Sequence, residues 1–280
     1  LKGDRSTGED PAILGGLGHL GGQTVMIIGQ ERGSQSSDKM NDGMTSPAGF
    51  RKAVRLMKIA EKFDIPIITL IDTPGPNQGD QSERQGLGNS IALTMSVMAS
   101  LNVPTIAAII GQGGSEGALS LAIADRVLMM QNAIYTIMAP EEAVTLMFDK
   151  STTNEEAAES LRLTATDCLE LNIIDEIVGE PISAAHESPD AAARQLRRVI
   201  LNHLTDIGNL SNFRRSRRRY RKFRQIGEFT KNLSGQPKLN EPPSSIMDSS
   251  KSRSLQIEGD GLRFQETKSL EAIDPIDHTH

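Results

Sequence analysis

Tryptophan is absent from this 280-residue chain, aromatic residues make up 3% of it, and there is one cysteine, Cys168. A single thiol excludes an intrachain disulfide and a multi-cysteine zinc site built by this chain alone. With so few aromatics, Ile, Leu, Val, Met and Ala must fill the core, which calls for close packing of helices on a sheet. No apolar run approaches the roughly 18 residues of a spanning helix, and no leader with a cleavage site stands at the front, so a cytoplasmic protein is expected. The formal net charge of −6 does not announce a nucleic-acid binder. The sequence opens on Leu1, and an upstream piece is expected to be missing.

What is present is an alternation of short apolar runs and amphipathic stretches. Thr24 to Gln30, Pro66 to Asp72, Thr105 to Ile110, Arg126 to Met130 and Tyr135 to Met138 read as strands. Ser46 to Phe63, with a capping serine and Pro47 in the first turn, and Leu87 to Leu101 read as helices. A helix opens at Pro140, two more cover Glu155 to Leu161 and Thr166 to Leu171, and the strand Ile173 to Val178 precedes a helix over Ala191 to Leu204. Apolar strands alternating with helices predict an α/β class with a covered, parallel sheet. Beyond Lys231, Ser, Pro, Lys, Glu and Asp dominate. Residues 231–280 are therefore expected to form a disordered polar tail, and 1–230 the folded domain.

The segment from Val103 to Asp125, VPTIAAIIGQGGSEGALSLAIAD, carries the most chemistry. A strand runs through glycines straight into a helix, so Gly113 and Gly114 let a ligand approach the backbone where first-turn amides are unpaired. Such donors suit an oxygen that becomes negative in a transition state. The same residues fit G-x-S-x-G, the nucleophile elbow of a serine hydrolase, with Ser115 as nucleophile and His186 as the best available base. A plain tight turn is the third reading.

Several segments together resemble one family. LKGDRSTGEDPAILGGLG, GMTSPAGFRKAVRLMKIAEKF, PIITLIDTPG, VPTIAAIIGQGGSEGAL, LRLTATDCLELNIIDEIVGEP and RRYRKFRQIGEF follow the order and spacing of the α subunit of bacterial-type acetyl-coenzyme A carboxylase carboxyltransferase, over about residues 2–230. The resemblance implies a crotonase/ClpP-like spiral of β-β-α repeats. It implies transfer of a carboxyl group from carboxybiotin, held on a separate biotin carrier protein, to acetyl-CoA, giving malonyl-CoA for fatty acid synthesis. A β subunit that carries the family's zinc ribbon is the expected partner, usually in an α2β2 assembly, and no metal is expected in this chain. By the resemblance, the family's usual N-terminal helical extension is expected to be what is missing upstream of Leu1. In a photosynthetic eukaryote the expected location becomes the plastid stroma.

By the same resemblance, the backbone at Gly113 and Gly114 is the oxyanion hole for biotin, and Gly75, Gly79, Glu83, Gly86, Ser115, Glu116 and Gly117 belong to the substrate-binding loops. No catalytic His or Asp is needed. The family usually reads GEGGSGGA where this chain has Gly111 to Ala118 as GQGGSEGA, so Gln112 replaces an acid and Glu116 a glycine. Glu116 is expected to compete for the anion site or to demand a φ that glycine adopts freely. A paralogue for another acyl-CoA and a non-catalytic assembly subunit are the alternatives those changes raise.

Outside the glycine junction, Asp72 ends a strand and could orient a base, and Cys168 fits a helical core pattern. Arg214 to Arg224 holds eight basic residues in eleven. It is read as a solvated amphipathic helix that packs its aromatic residues on the subunit or its partner, rather than as a nucleic-acid site with Tyr220 and Phe223 stacking on bases.

Overall fold

The computed structural model describes residues 1–6, 8–33, 38–146, 153–182 and 184–227. The expected polar tail, 231–280, lies outside the described residues. Leu1–Gly227 forms one compact unit.

Two strands missing or shortened in the sequence pattern define the sheet. Strand β1 (Ile13–Leu20) contains Gly15, Gly16 and Gly18 and shows no apolar alternation, yet it pairs antiparallel with β2 (Gln23–Gln30) along its whole length. Gly21 and Gly22, with φ of 59° and 86°, make the two-residue turn whose positive φ suits the twist of a hairpin. A Cβ at Gly15 would lie 2.1 Å from Leu56 Cδ1, so this glycine lets the first helix seat directly on β1.

The rest of the sheet is parallel. β2 pairs with β3 (Ile67–Thr73), β3 with β4 (Thr105–Gly114), β4 with β5 (Arg126–Met130) and β5 with β7 (Glu176–Val178). Strand β4 runs four residues past the expected end. Its first half pairs with β5 and its last three residues with β6 (Ile134–Thr136), so the strand changes neighbour on that side between Ile109 and Gln112 while Gly113 still pairs with β3 on the other.

Helices α1 (Pro47–Lys62), α3 (Leu87–Ser100) and α4 (Ser115–Ala122) pack against one another and against the sheet. Between α1 and α3 the short α2 (Asp80–Arg84) occupies what reads in sequence as a glycine-rich loop. The core is aliphatic: Ile13, Met26, Ile28, Leu56, Met57, Ile67, Ile71, Ile106, Ile109, Leu128 and Met129 are all fully buried. α5 (Pro140–Leu146), α6 (Asn154–Leu161) and α7 (Ala165–Glu170) follow β6, the last two opened by capping boxes at Thr153 and Thr164. Cys168 is buried on α7, and burial pushes its thiol up to about 11, as befits core rather than nucleophile.

α8 (Pro189–Gly208) and α9 (Asn212–Arg224) end the described fold, and α9 adds to the expectation for the basic segment. Its main anchors on this subunit are cations, with Phe223 beside them. Arg215 and Arg219 are buried, whereas Phe213 and Tyr220 are exposed and Phe223 is only partly buried against the core. Arg219 Nη1 donates to Asp125 Oδ1 at 3.0 Å and to Thr105 Oγ1 at 3.2 Å; its Nε donates to the Ala99 carbonyl. Lys222 Nζ reaches Asp175 Oδ2 at 2.6 Å. Carbonyls at the end of α3 and the Asp125 carboxylate supply what a buried guanidinium requires, Asp175 takes the Lys222 ammonium, and an aromatic ring could satisfy neither.

Candidate active site

The C-terminal ends of β3, β4 and β6 converge on a cavity of about 480 Å³, lined by Met44, Pro74 to Gly79, Gln112, Gly114, Ser115, Thr136 to Ala139 and Glu142. Ligands favour this end of a parallel sheet because helix N-termini and loops open there. Two chain segments meet at its floor. Gly114 ends β4 with extended φ and ψ (−93°, 125°), and Ser115 then turns the chain into α4 through a left-handed φ of 48°.

The glycines at this elbow have separate reasons. A Cβ at Gly114 would stand 2.0 Å from the Pro74 carbonyl oxygen, and one at Gly117 would stand 2.8 Å from the Gly75 carbonyl carbon. The loop after β3 therefore lies on bare backbone. Thr73 Oγ1 accepts from the Gly75 amide at 3.1 Å and sits 2.8 Å from the carbonyl oxygens of Gly43 and Gly75, which fixes that loop from beneath. Buried Gln30 donates to the Gly117 carbonyl at 3.1 Å and ties α4 to the end of β2.

Helix geometry leaves the first-turn amides of α4 without intrahelical acceptors, and those of Ser115, Glu116 and Gly117 donate to no other backbone segment among the described residues. With the positive end of the helix dipole, they suit an anionic or polarised oxygen. Gly113 differs. It pairs with Thr73 on one side and Tyr135 on the other, so its backbone lies in the sheet, and a Cβ there would meet the Tyr135 ring at 2.9 Å.

Of the residues singled out from sequence, Gly75, Gly79, Gly114 and Ser115 line the cavity, while Gly113 and Gly117 shape it from behind. Glu83 is exposed on α2, and Gly86 caps α3 with a left-handed φ of 78°; neither lines the cavity. Glu116 does not behave as expected. The positive φ falls on Ser115 instead, and the exposed Glu116 carboxylate accepts a hydrogen bond from Ser115 Oγ, outside the cavity lining.

That bond also decides the hydrolase reading. Ser115 has the backbone of an elbow, but its hydroxyl is turned to the exposed Glu116 carboxylate and no histidine stands beside it among the described residues. His203 is engaged by Arg126 Nε at 3.2 Å and Glu176 Oε2 at 2.8 Å, and His19 and His186 are exposed, none of them at the cavity. Asp72 likewise orients no base: its Oδ1 accepts the Gln112 amide at 2.9 Å. Sequence reasoning passed over Thr73, Gln30 and the apolar wall of Met44, Ile137 and Met138, since buried tethers and single apolar side chains in loops leave no periodic signal. Among the described residues no group of three or more His, Cys, Asp or Glu is placed to hold a metal ion.

Residues 1–227 match a family model described as acetyl co-enzyme A carboxylase carboxyltransferase-like. The acetyl-coenzyme A carboxylase carboxyl transferase subunit alpha of Staphylococcus saprophyticus is 44% identical over 232 residues, which are 82% of this chain and 74% of the relative. That of Thermosynechococcus vestitus is also 44% identical over 232 residues, 82% and 72% of the two chains. Among solved structures, transcarboxylase 12S with hydrolysed methylmalonyl-coenzyme A superposes with a TM-score of 0.59 at 20% identity, over 69% of this chain and 35% of that one. A Pseudomonas malonate decarboxylase hetero-tetramer in complex with malonate gives 0.60 at 14% identity, over 72% and 82%. The fold is that of the crotonase-like carboxyltransferases, the class expected from the sequence.

Proposed function

Since the chain belongs to the acetyl-coenzyme A carboxylase carboxyltransferase α-subunit family, we propose that its elbow is the half-site that steadies charge during carboxyl transfer. The protein acts as a carboxyltransferase together with a β subunit, in the synthesis of malonyl-CoA. The observation that carries the site assignment is the turn at Gly114 and Ser115, where bare backbone and unpaired amides face a cavity of ligand size.

The residues present fit a biotin ring. Any side chain at Gly114 would collide with Pro74, so the cradle requires glycine there, and the apolar wall of Ile137 and Met138 suits a ring flank. Carboxybiotin on its carrier protein supplies an activated carboxyl group when bound, with charge developing on its ureido oxygen. The first-turn amides of α4, Ser115 foremost since it lines the cavity, would hold that oxygen, Gly114 would leave it room, and Gly113 keeps the strand end in line. The loop Gly75 to Gly79 covers the opposite wall. Glu83 and Gly86 then act at one remove, by setting α2 and the start of α3. Glu116, turned outward to Ser115, leaves the anion position free and gives no reason to assign an assembly role in place of catalysis.

We assign the biotin carrier protein, acetyl-CoA, an α2β2 assembly and a cytoplasmic or stromal location on the same family grounds. Among the described residues no helix is long and apolar enough to cross a membrane.

The test is malonyl-CoA decarboxylation dependent on biocytin, run with the β subunit and with Gly114→Val as control. Activity that needs both subunits and falls by about 10²-fold in the variant, whose side chain collides with Pro74 and displaces the elbow, is the expected result. Biocytin-independent hydrolysis with covalent labelling of Ser115 by a fluorophosphonate would overturn it.

A further inference from the structure

The register of β3 against β4 breaks at one residue. From Ile67↔Thr105 to Ile71↔Ile109 the pairs advance one for one, and the next pair is Thr73↔Gly113. Asp72 alone therefore stands opposite Ile110, Gly111 and Gln112. The two extra residues keep the alternation of faces while drawing β4 back by two residue rises, about 6.6 Å. That retraction brings Gly114 against Pro74 instead of past it.

A bulge frees backbone groups from the ladder, and something must hold them. Asp72 does so: Oδ1 accepts the Gln112 amide at 2.9 Å. A Cβ on Gly111 would lie 2.6 Å from the same oxygen, so glycine at that position is what admits the carboxylate. From outside, Arg32 Nη1 donates to Gln112 Oε1 at 3.1 Å and stands 3.9 Å from Asp72 Oδ1. Three strand ends, β2, β3 and β4, are clasped through one bulge.

We propose that Asp72 is a positioning residue: through the Gln112 amide it fixes the bulge that aims the Gly114–Ser115 elbow into the cavity, with Arg32 bracing it through the Gln112 side chain. The activity readout rests on the carboxyltransferase reading; the exchange readout does not. The pair that tests it is Asp72→Ala against Asp72→Asn, since the amide oxygen of Asn still accepts the Gln112 hydrogen bond.

In the complex with β subunit, Asp72→Ala should lower kcat for biocytin-dependent malonyl-CoA decarboxylation by about 10- to 100-fold, as sub-ångström to ångström misplacement does, with KM for malonyl-CoA nearly unchanged. Hydrogen exchange of a peptide spanning residues 110–118 should quicken. Asp72→Asn should restore both. Unchanged exchange in Asp72→Ala, or Asn no better than Ala, overturns the clasp. A wild-type complex without biocytin-dependent activity overturns the carboxyltransferase reading, and the exchange comparison still judges Asp72. If Asp72→Ala does not fold, Gly111→Ala drives a methyl into the carboxylate: faster exchange over 110–118 supports the clasp and unchanged exchange refutes it.

Discussion

Ser115 is held at a φ that costs a non-glycine residue about 1–2 kcal/mol. Ser115→Gly removes that strain but adds chain entropy of about 0.5–1 kcal/mol to the unfolded state. Its melting temperature should therefore match or slightly exceed that of the wild type, whereas Ser115→Val, β-branched at positive φ, should lower it clearly. Thermal melts of the three proteins check the order. Asp4 offers a second test, with pH as the variable. Burial alone would raise its pKa, but hydrogen bonds from the Gly8 and Ser6 amides and from Arg51 outweigh it and bring the value from 3.8 to about 2. A depressed carboxylate stabilises fully above its unfolded value and loses that contribution as pH falls through the folded one. Acid unfolding should thus show an Asp4 component between about pH 4 and pH 2. Asp4→Asn should be less stable at neutral pH and flatter across that window.

The last helix shows how a charge pattern can be legible in sequence while its meaning is not. Eight cations in eleven residues mark α9 as amphipathic, but periodicity does not tell which side is buried when both carry arginine. The answer came from elsewhere in the chain. Asp125 follows α4, Asp175 precedes β7, and the free carbonyls end α3; only folding brings them under Arg219, Arg215 and Lys222. Burial pushes the Asp125 carboxyl up and the Arg219 guanidinium down, and their mutual attraction opposes both shifts. Arg219→Met leaves Asp125 buried with its main counter-ion gone, so it should cost about 3–5 kcal/mol in chemical denaturation. Adding Asp125→Asn should recover part of that loss. The helices with clear 3.6-residue periodicity, α1 and α3, begin and end within a residue or so of their sequence signals, because local propensity and packing agree there. β1 was hidden for the opposite reason. Its Gly15 admits Leu56, a contact 41 residues away in sequence that no local pattern records. The elbow lay between these cases: strand, glycines and helix were readable, but the bulge at Asp72 that retracts β4 depends on pairing with β3.

The cavity as a whole explains why a protein of this size offers so little acid–base chemistry. Among the described residues its lining holds one ionisable side chain, Glu142, exposed in the first turn of α5; the other polar groups are amides and hydroxyls. Backbone donors stabilise a developing oxyanion without changing protonation, so they need no tuned pKa. They cannot remove the proton from an acyl-CoA methyl group, and one elbow that holds the ureido oxygen, as proposed, is not free to hold the enolate oxygen as well, which is a physical reason for a second subunit. Two outcomes follow. Titrating the β subunit into this chain should raise biocytin-dependent activity linearly to an equimolar end point, with no activity from this chain alone, as measured by malonyl-CoA decarboxylation. In that saturated complex, Glu142→Gln should leave the pH dependence of kcat in place, because the groups that titrate belong to the ligand or to the partner. A profile that moves with Glu142→Gln would instead give this chain a proton-transfer group of its own and remove the argument that its elbow works by backbone donors alone.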